Sequence, residues 1–351
     1  MRLMSFAHKN FGFSELKEAW SIVRPWWFSE EKWQARFLFL SVFLIDMGIV
    51  GVGVWLTNWN KRFFNAFQDY ALDSVWILLA EFLGIIFIGI ISESSRVYLY
   101  QTLQMKWRKW VTHIYLKSWL NDSTFHEIEQ LHSIDNADQR ISEDLKNMVD
   151  LCLHLSLGFF SNLVTLTTYS IIIWRISGTL VFNISSWTIQ IPGYMLWVSI
   201  IYAIVASIIM EKTGNKIVNV EYEQQLYESD FRFSMMRIRE NSSQIAISNA
   251  GDVERKILKG LFSNIESNWN KFKYFTRKIT IVEKGYTEFG VLLAYLVIIP
   301  RYFSRQITLG SIMQLTMSFT RIRVGFAWFV FQYKRLASLR SICRRLVELD
   351  H

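Results

Sequence analysis

Two acidic stretches carry the residue types that proton exchange or recognition of a cationic solute requires. The first is "DNADQRISEDLKN" at 135–147. On a helix, Arg140 and Asp144 are four apart and Glu143 and Lys146 three apart, so each couple can form an ion pair. Asp138 and Gln139 fall at the helix start, where an acidic group complements the helix dipole. Two readings fit: a solvated, capped helix entering an apolar run, or a cavity mouth at which Glu143 exchanges protons or meets a cationic peptide. The second stretch is "VEYEQQLYESDFRF". Here Glu221, Gln224, Gln225 and Glu228 follow the i, i+3, i+4, i+7 rule and make one polar stripe. Such a stripe is a water-facing surface unless two copies of the helix face one cavity. In that case like-charge repulsion favours proton uptake, and a carboxylate so placed can drive a conformational switch.

Other ionisable groups sit inside apolar runs: Asp46, Glu81, His154, Arg175, Arg321 and Arg323. An ionised group at mid-bilayer costs roughly 2.5–3.5 kcal/mol on insertion scales, so it normally faces a cavity or a partner. Asp46 is nearest the middle of its run, and the sequence leaves its partner open. Metal chemistry finds no support. In "HEIEQLH" the histidines His126 and His132 are six apart rather than four, and Cys152 and Cys343 match no ligand spacing. No cofactor is implied, and nothing assembles into a hydrolytic triad.

These groups must be positioned by membrane helices. Of 351 residues, 51% are hydrophobic and 16% aromatic, only three are proline, and the 19% that are charged are bunched between apolar blocks. Six segments approach the ~20 apolar residues that cross a bilayer core, at about 37–56, 75–91, 151–174, 192–210, 286–300 and 308–331. Gly48, Gly51 and Gly53 lie in the first, where small residues suit close helix packing. Lys and Arg number 6, 7, 13 and 5 in residues 1–36, 92–147, 211–285 and 332–351, against 2, 1 and 2 in the three alternate loops expected at 57–74, 175–191 and 301–307. The positive-inside rule then places both termini and the two long segments in the cytoplasm. The net charge of +8 is thereby topological, which removes the case for nucleic acid. The region from Val75 to about Leu120 lacks proline and reads as one helix of about 45 residues, more than twice a bilayer in length. The stretch 211–280 behaves similarly, broken only at Gly214, Gly251 and Gly260. "RPWWFSEEKW" reads as an interfacial aromatic belt with an amphipathic lead-in.

Four blocks carry a resemblance: "WRKWVTHIYLKSWL", "DNADQRISEDL", "DFRFSMMRIRENSSQIA" and the run from "LGSIMQLTMSF" to "LRSICRRL". Together they resemble the membrane domain of SbmA/BacA-like transporters and of the related bacterial and peroxisomal (subfamily D) ABC half-transporters, over roughly residues 18–348. The resemblance implies an all-α polytopic fold of the ABC exporter type, with six long helices and a central cavity in a homodimer. It implies cargo that is peptide-like or otherwise bulky. It also matches Glu143 to the acidic position of the family's R-x-x-E-D pattern at Arg140 to Asp144. The segment 239–256, beginning Arg239, Glu240, Asn241 and Ser242, resembles the part of the ATP-fused relatives that contacts the ATPase.

The domain reading is a cytoplasmic lead-in (1–36), a six-helix transmembrane domain (37–335) and a cytoplasmic C-terminal helix (336–351), with no nucleotide-binding domain. No phosphate loop of the form G-x-x-x-x-G-K-S/T occurs, so the chain alone is expected not to hydrolyse ATP. The expected function is a multi-pass inner (plasma) membrane transporter working by alternating access. Proton-coupled uptake would use Glu143, Glu221, Glu228 and Asp46; the alternatives are a permease half served by a separate ATPase subunit, and a non-transporting receptor or scaffold.

Overall fold

The structure, a computed structural model, describes residues 13–121, 137–184 and 187–350. It is almost wholly helical and divides into two compact units, one made of Met1–Leu196 with Ile298–His351, the other of Trp197–Val297. The helices of the first unit are α1 (Phe13–Trp27), α2 (Lys32–Gln68), α3 (Leu72–Leu120) and α4 (Leu145–Ser177), followed after a gap by α8 (Leu309–Phe331) and α9 (Tyr333–Asp350). A single α-turn, Ala137–Gln139, and a π-helical turn, Arg140–Asp144, lead into α4. Between α4 and α5 (Tyr194–Glu240) lies a hairpin of β1 (Thr179–Ile184) and β2 (Trp187–Pro192). A short α6 (Ser242–Ile247) and α7 (Gly251–Phe303) complete the chain.

Four helices among the described residues are long and apolar enough to cross a membrane: Lys32–Gln68, Leu72–Leu120, Arg140–Ser177 and Tyr194–Glu240. They hold the first four expected spans. The fifth and sixth are helical, within α7 and as α8, but are not apolar enough to count on composition. Six spanning helices are therefore an expectation beyond these four. The reason is visible in α8, which buries Ser311, Gln314, Thr316, Ser318 and Arg323 against protein, so its sequence need not be greasy throughout.

Three expectations need correction. The segment 57–74 is not a loop, because α2 runs on to Gln68 and only residues 69–71 turn the chain. Trp59 drives this, stacked between Phe63 at 4.6 Å and Phe82 at 4.4 Å while its Nε1 donates to the Leu78 carbonyl at 2.7 Å. The stretch 211–280 is not broken at Gly214 or Gly260, which lie inside α5 and α7. The break comes at Asn241 and again at 248–250. Finally, among the described residues a Cβ at Gly48 or Gly51 would meet nothing within 4 Å, so of the three glycines Gly53 is the one crowded within the chain, by Tyr169 Oη at 2.9 Å.

The first unit has its main core at the Lys/Arg-rich end, where it also takes in Val42, Leu153 and Leu157 of the expected spans. There α1, the distal half of α3, the start of α4 and α9 bury Trp26, Leu103, Trp107, Leu145, Met148, Cys343 and Leu346. Trp26 lies parallel to Trp107 with ring centres 5.2 Å apart. At about 1.5–3 kcal/mol for each large apolar side chain buried, this cluster fixes a soluble-type helix assembly onto the membrane helices. The expected aromatic belt thus splits. Trp26 is a core residue, while Phe28 and Trp33 stay exposed. At the opposite end, Gly178 and Gly193 both take positive φ, 64° and 61°, to turn the chain into and out of the hairpin. Gly193 N donates to the Gly178 carbonyl at 2.9 Å, and the Arg301 guanidinium sits on the last α4 carbonyls, Ile176 and Ser177. A cation there complements the C-terminal end of the helix dipole.

The second unit is a helical hairpin. Tyr202 stacks on Tyr286, Asn268 Nδ2 donates to the Val220 carbonyl at 3.0 Å, Phe231 meets Phe262, and Arg237 pairs with Glu254. Each step forward along α5 is matched by a step back along α7, so the two run antiparallel. From Tyr202 to Arg237 they stay together for about 50 Å at 1.5 Å per residue. Buried Asn268 also donates to Gln224 Oε1 at 3.0 Å. A polar side chain inside an apolar helix seam penalises other alignments and so sets the register.

Candidate functional site

The turn Arg140–Asp144 differs from the plain helix that its sequence suggests. Leu145 N donates to the Arg140 carbonyl, an i+5 bond that widens the turn. The widening turns Arg140, Ile141 and Asp144 inward together and leaves Ser142 and Glu143 exposed. Both Asp144 oxygens are taken by Arg345 of α9, from Nε and Nη2 at 2.7 Å each. Arg140 Nη1 donates to the Arg345 carbonyl at 2.6 Å, and Arg345 Nη1 reaches Ser341 Oγ at 3.2 Å. The motif is therefore a latch that holds the C-terminal helix against the start of α4. Bidentate guanidinium–carboxylate geometry of this kind is among the strongest polar contacts a protein makes.

The carboxylates proposed for proton exchange are placed as follows. Glu143 is exposed and accepts from Gln139 Nε2 at 3.1 Å, rather than sitting in an enclosed pocket. Glu228 is exposed and accepts from Gln224 Nε2 at 3.0 Å; Glu221 is half-buried one helical turn before Gln224. Asp46 faces Arg96 of α3, with Nε at 3.8 Å, while Arg96 also bonds Glu93. The partner that the sequence left open thus comes from α3 rather than from Arg321 or Arg323 of α8. Glu143 and Asp46 belong to the first unit, and Glu221 and Glu228 to the second. His126 and His132 lie outside the described residues, and among those described no three His, Cys, Asp or Glu side chains form a metal-sized cluster.

The bend between α5 and α7 has its own construction. Arg239 and Glu240 close α5, and Asn241 caps it by returning both its backbone N–H and its Nδ2 to the Arg237 carbonyl at 3.0 and 2.9 Å. Ser242 opens α6, none of whose six residues is buried. Ile247, at its end, is 86% exposed. Asn249 takes φ 48°, a conformation Asn tolerates better than most residues, to start the return. The Arg237–Glu254 pair, 3.3 Å, closes the base of the bend.

Several of these residues escaped the sequence reading. Nothing local marks Arg345 as the partner of Asp144, 201 residues away. Asn268 had a weak signal, a polar residue three positions after Ile265 on the buried face of α7. The hairpin had a better one, since "TLVFNI" and "WTIQIP" are rich in β-branched residues and are bracketed by Gly178 and Gly193.

Long apolar helices that continue far past a bilayer, and a bare helical turn between two of them, define a membrane domain of the transporter type. The comparison with known proteins gives the class a family. The model for ABC transporter transmembrane region 2 matches residues 23–303, and the chain belongs to that family. It is 30% identical over 93% of its length to the inner membrane ABC transporter ATP-binding protein YddA of Escherichia coli (strain K12), covering 59% of that protein. It is likewise 30% identical over 96% of its length to ABC transporter D family member 2, chloroplastic, of Arabidopsis thaliana, covering 46% of it. The lysosomal cobalamin transporter ABCD4 of Mus musculus is 25% identical over 66% of this chain and 35% of its own. The chain thus spans about half the length of the curated relatives it matches. It is a multi-pass membrane transporter component related to ABC transporters, and the resemblance to the subfamily D membrane domain holds.

Proposed function

We propose that this chain is the membrane-spanning half of an ATP-driven transporter, acting as two copies around one cavity, with the ATPase docking on the bend at 239–250. The observation that carries this reading is the bend itself: a six-residue helix with no buried side chain, ending in an isoleucine 86% exposed to solvent. Such a turn gains stability only when something covers it. Burying Ile247 contributes roughly 1.5–3 kcal/mol, enough to decide docking. The relatives support the energy source, since two of them are named for ATP binding or as ABC transporters, and a third is named for cobalamin, a bulky solute. The count of Lys and Arg supports an inner (plasma) membrane orientation with the bend in the cytoplasm.

Ile247→Arg is expected to lower solute-stimulated ATP hydrolysis of the reconstituted complex by about tenfold or more, with the ATPase's own basal rate unchanged. The count of ATPase copies that purify with the chain should fall in parallel. Uptake that continues at full rate after ATP depletion, with the proton gradient clamped, would refute the reading.

One observation favours a second reading, proton-coupled uptake of a peptide-like solute. Asp46 sits in an apolar run with its side chain 12% exposed and its arginine at 3.8 Å, close enough to stabilise a charge and loose enough to release it. Asp46→Asn should then abolish uptake driven by a pH gradient in vesicles while the dimer persists, and Gln at Glu143, Glu221 and Glu228 should weaken it. Full uptake by both sets of variants excludes a proton role for these groups.

A further inference from the structure

At the junction of α1 and α2 two guanidinium groups converge on one ring. Arg24 and Arg36 each place the guanidinium carbon 5.3 Å from the centre of Phe28, and Arg36 lies 5.9 Å from Trp33. One N–H of Arg36 is used, by the Trp27 carbonyl at 3.2 Å. Among the described residues neither arginine is paired with a carboxylate; Glu30 and Glu31, which precede α2, do not reach them. The first turn of α2 holds no acidic residue, and Lys32 on it is exposed. Around the two cations the surface is aromatic: Phe28 is 59% exposed, Trp33 72% and Phe37 70%.

Each guanidinium is drawn to the Phe28 ring, and the ring, which carries no net charge, neutralises neither. An anionic group beside them would offset that charge. The exposed aromatics say where it comes from, because Trp and Phe beside Arg form the contact that membrane helices make with the headgroup layer. We infer that the α1–α2 junction is a binding site for the phosphate of an anionic phospholipid, with Arg24 and Arg36 holding the headgroup while Phe28, Trp33 and Phe37 enter the acyl boundary. This rests on the chain being a membrane protein and is independent of how transport is energised.

The test uses the full chain in nanodiscs of phosphatidylcholine mixed with phosphatidylglycerol, read by native mass spectrometry as the ratio of the two lipids retained. The wild type should retain phosphatidylglycerol selectively. At the energy typical of one cation near an anionic surface, Arg24→Gln and Arg36→Gln should each lower that selectivity about fivefold, and the double variant about thirtyfold. A pair of Lys replacements, which keep the charge, should preserve most of it and so separates loss of the site from loss of fold. Arg255→Gln, an exposed arginine of the second unit, should change nothing. An absence of lipid selectivity in the wild type, or an unchanged ratio in the monodisperse double variant, overturns the proposal. So does displacement of phosphatidylglycerol by millimolar inorganic phosphate, which would mean a free-anion site.

Discussion

Asp144→Ala is expected to release α9 from the membrane domain, and Cys343 reports it. Cys343 lies on α9 inside the main core, 3% exposed, and burial pushes its thiol up to about 11. Two pK units above an ordinary thiol near 9 reduce the thiolate at neutral pH by about a hundredfold. A maleimide therefore reacts with this cysteine chiefly when α9 has lifted away. The latch that prevents lifting is the Asp144–Arg345 pair. Removing one partner of a fully buried pair costs roughly 3–5 kcal/mol, but Arg345 keeps 43% of its side chain in solvent, so about 2 kcal/mol is the better figure. When opening is fast relative to labelling, the rate follows the open population, and 2 kcal/mol is about thirtyfold. The experiment is maleimide labelling of the full chain carrying Cys152→Ala, which leaves one thiol. Arg345→Ala should act similarly, and the double variant should cost less than the sum of the two because they share one contact. Labelling that stays at the parent rate in Asp144→Ala would show that the core alone holds α9.

These contacts explain how far the sequence could be read. Helix identity was legible wherever composition acts locally. Without proline, and with glycines only at 84 and 89, α3 had to run on, and it does so for 49 residues, about 73 Å. The four most apolar runs were legible for the same reason. What could not be read is whatever depends on pairing at a distance. Asp46 meets Arg96 across 50 residues and Asp144 meets Arg345 across 201, and no local pattern distinguishes these arginines from their neighbours. The glycines of α2 show the same limit. Gly48, Gly51 and Gly53 look equivalent in sequence, yet among the described residues only Gly53 has a neighbour against it, because which face of a helix is covered depends on what folds beside it. In α8 the polar residues have a local explanation. Its polar residues lower its apparent fitness as a span, yet Ser311, Thr316 and Ser318 lie on protein-covered faces, where helix carbonyls and neighbouring side chains satisfy such groups.

The end of α8 carries the largest expected effect on folding. Its first backbone N–H groups have no partner within the helix. Leu309 N donates to Gln68 Oε1 at 2.8 Å, Gly310 N to Asn65 Oδ1 at 2.9 Å, and Ser311 N to the Thr308 hydroxyl at 3.3 Å. One turn further on, Gln314 Nε2 bonds Asn58 Oδ1 at 2.7 Å. The C-terminal half of α2 thus caps α8 from the side, which requires the two backbones to touch. A Cβ at Gly310 would overlap the Lys61 carbonyl oxygen and lie 2.5 Å from Asn65 Oδ1. Because the Lys61 oxygen belongs to helix backbone, it cannot swing aside as a side chain would. Gly310→Ala must therefore push α8 off α2. Overpacking costs about 1–3 kcal/mol, and the two capping bonds that stretch add about 1 kcal/mol each. A loss near 4 kcal/mol should cut the monodisperse fraction in size-exclusion chromatography by more than tenfold and lower the melting temperature sharply. Asn65→Ala, which removes one cap without a clash, should cost only about 1–2 kcal/mol. Gly48→Ala and Gly51→Ala, with open space at each Cβ, should be neutral or slightly stabilising, since Ala favours a helix over Gly by about 1 kcal/mol. If Gly310→Ala melts with the parent while Gly51→Ala does not, the close approach of α8 to α2 is not what holds this end of the molecule together.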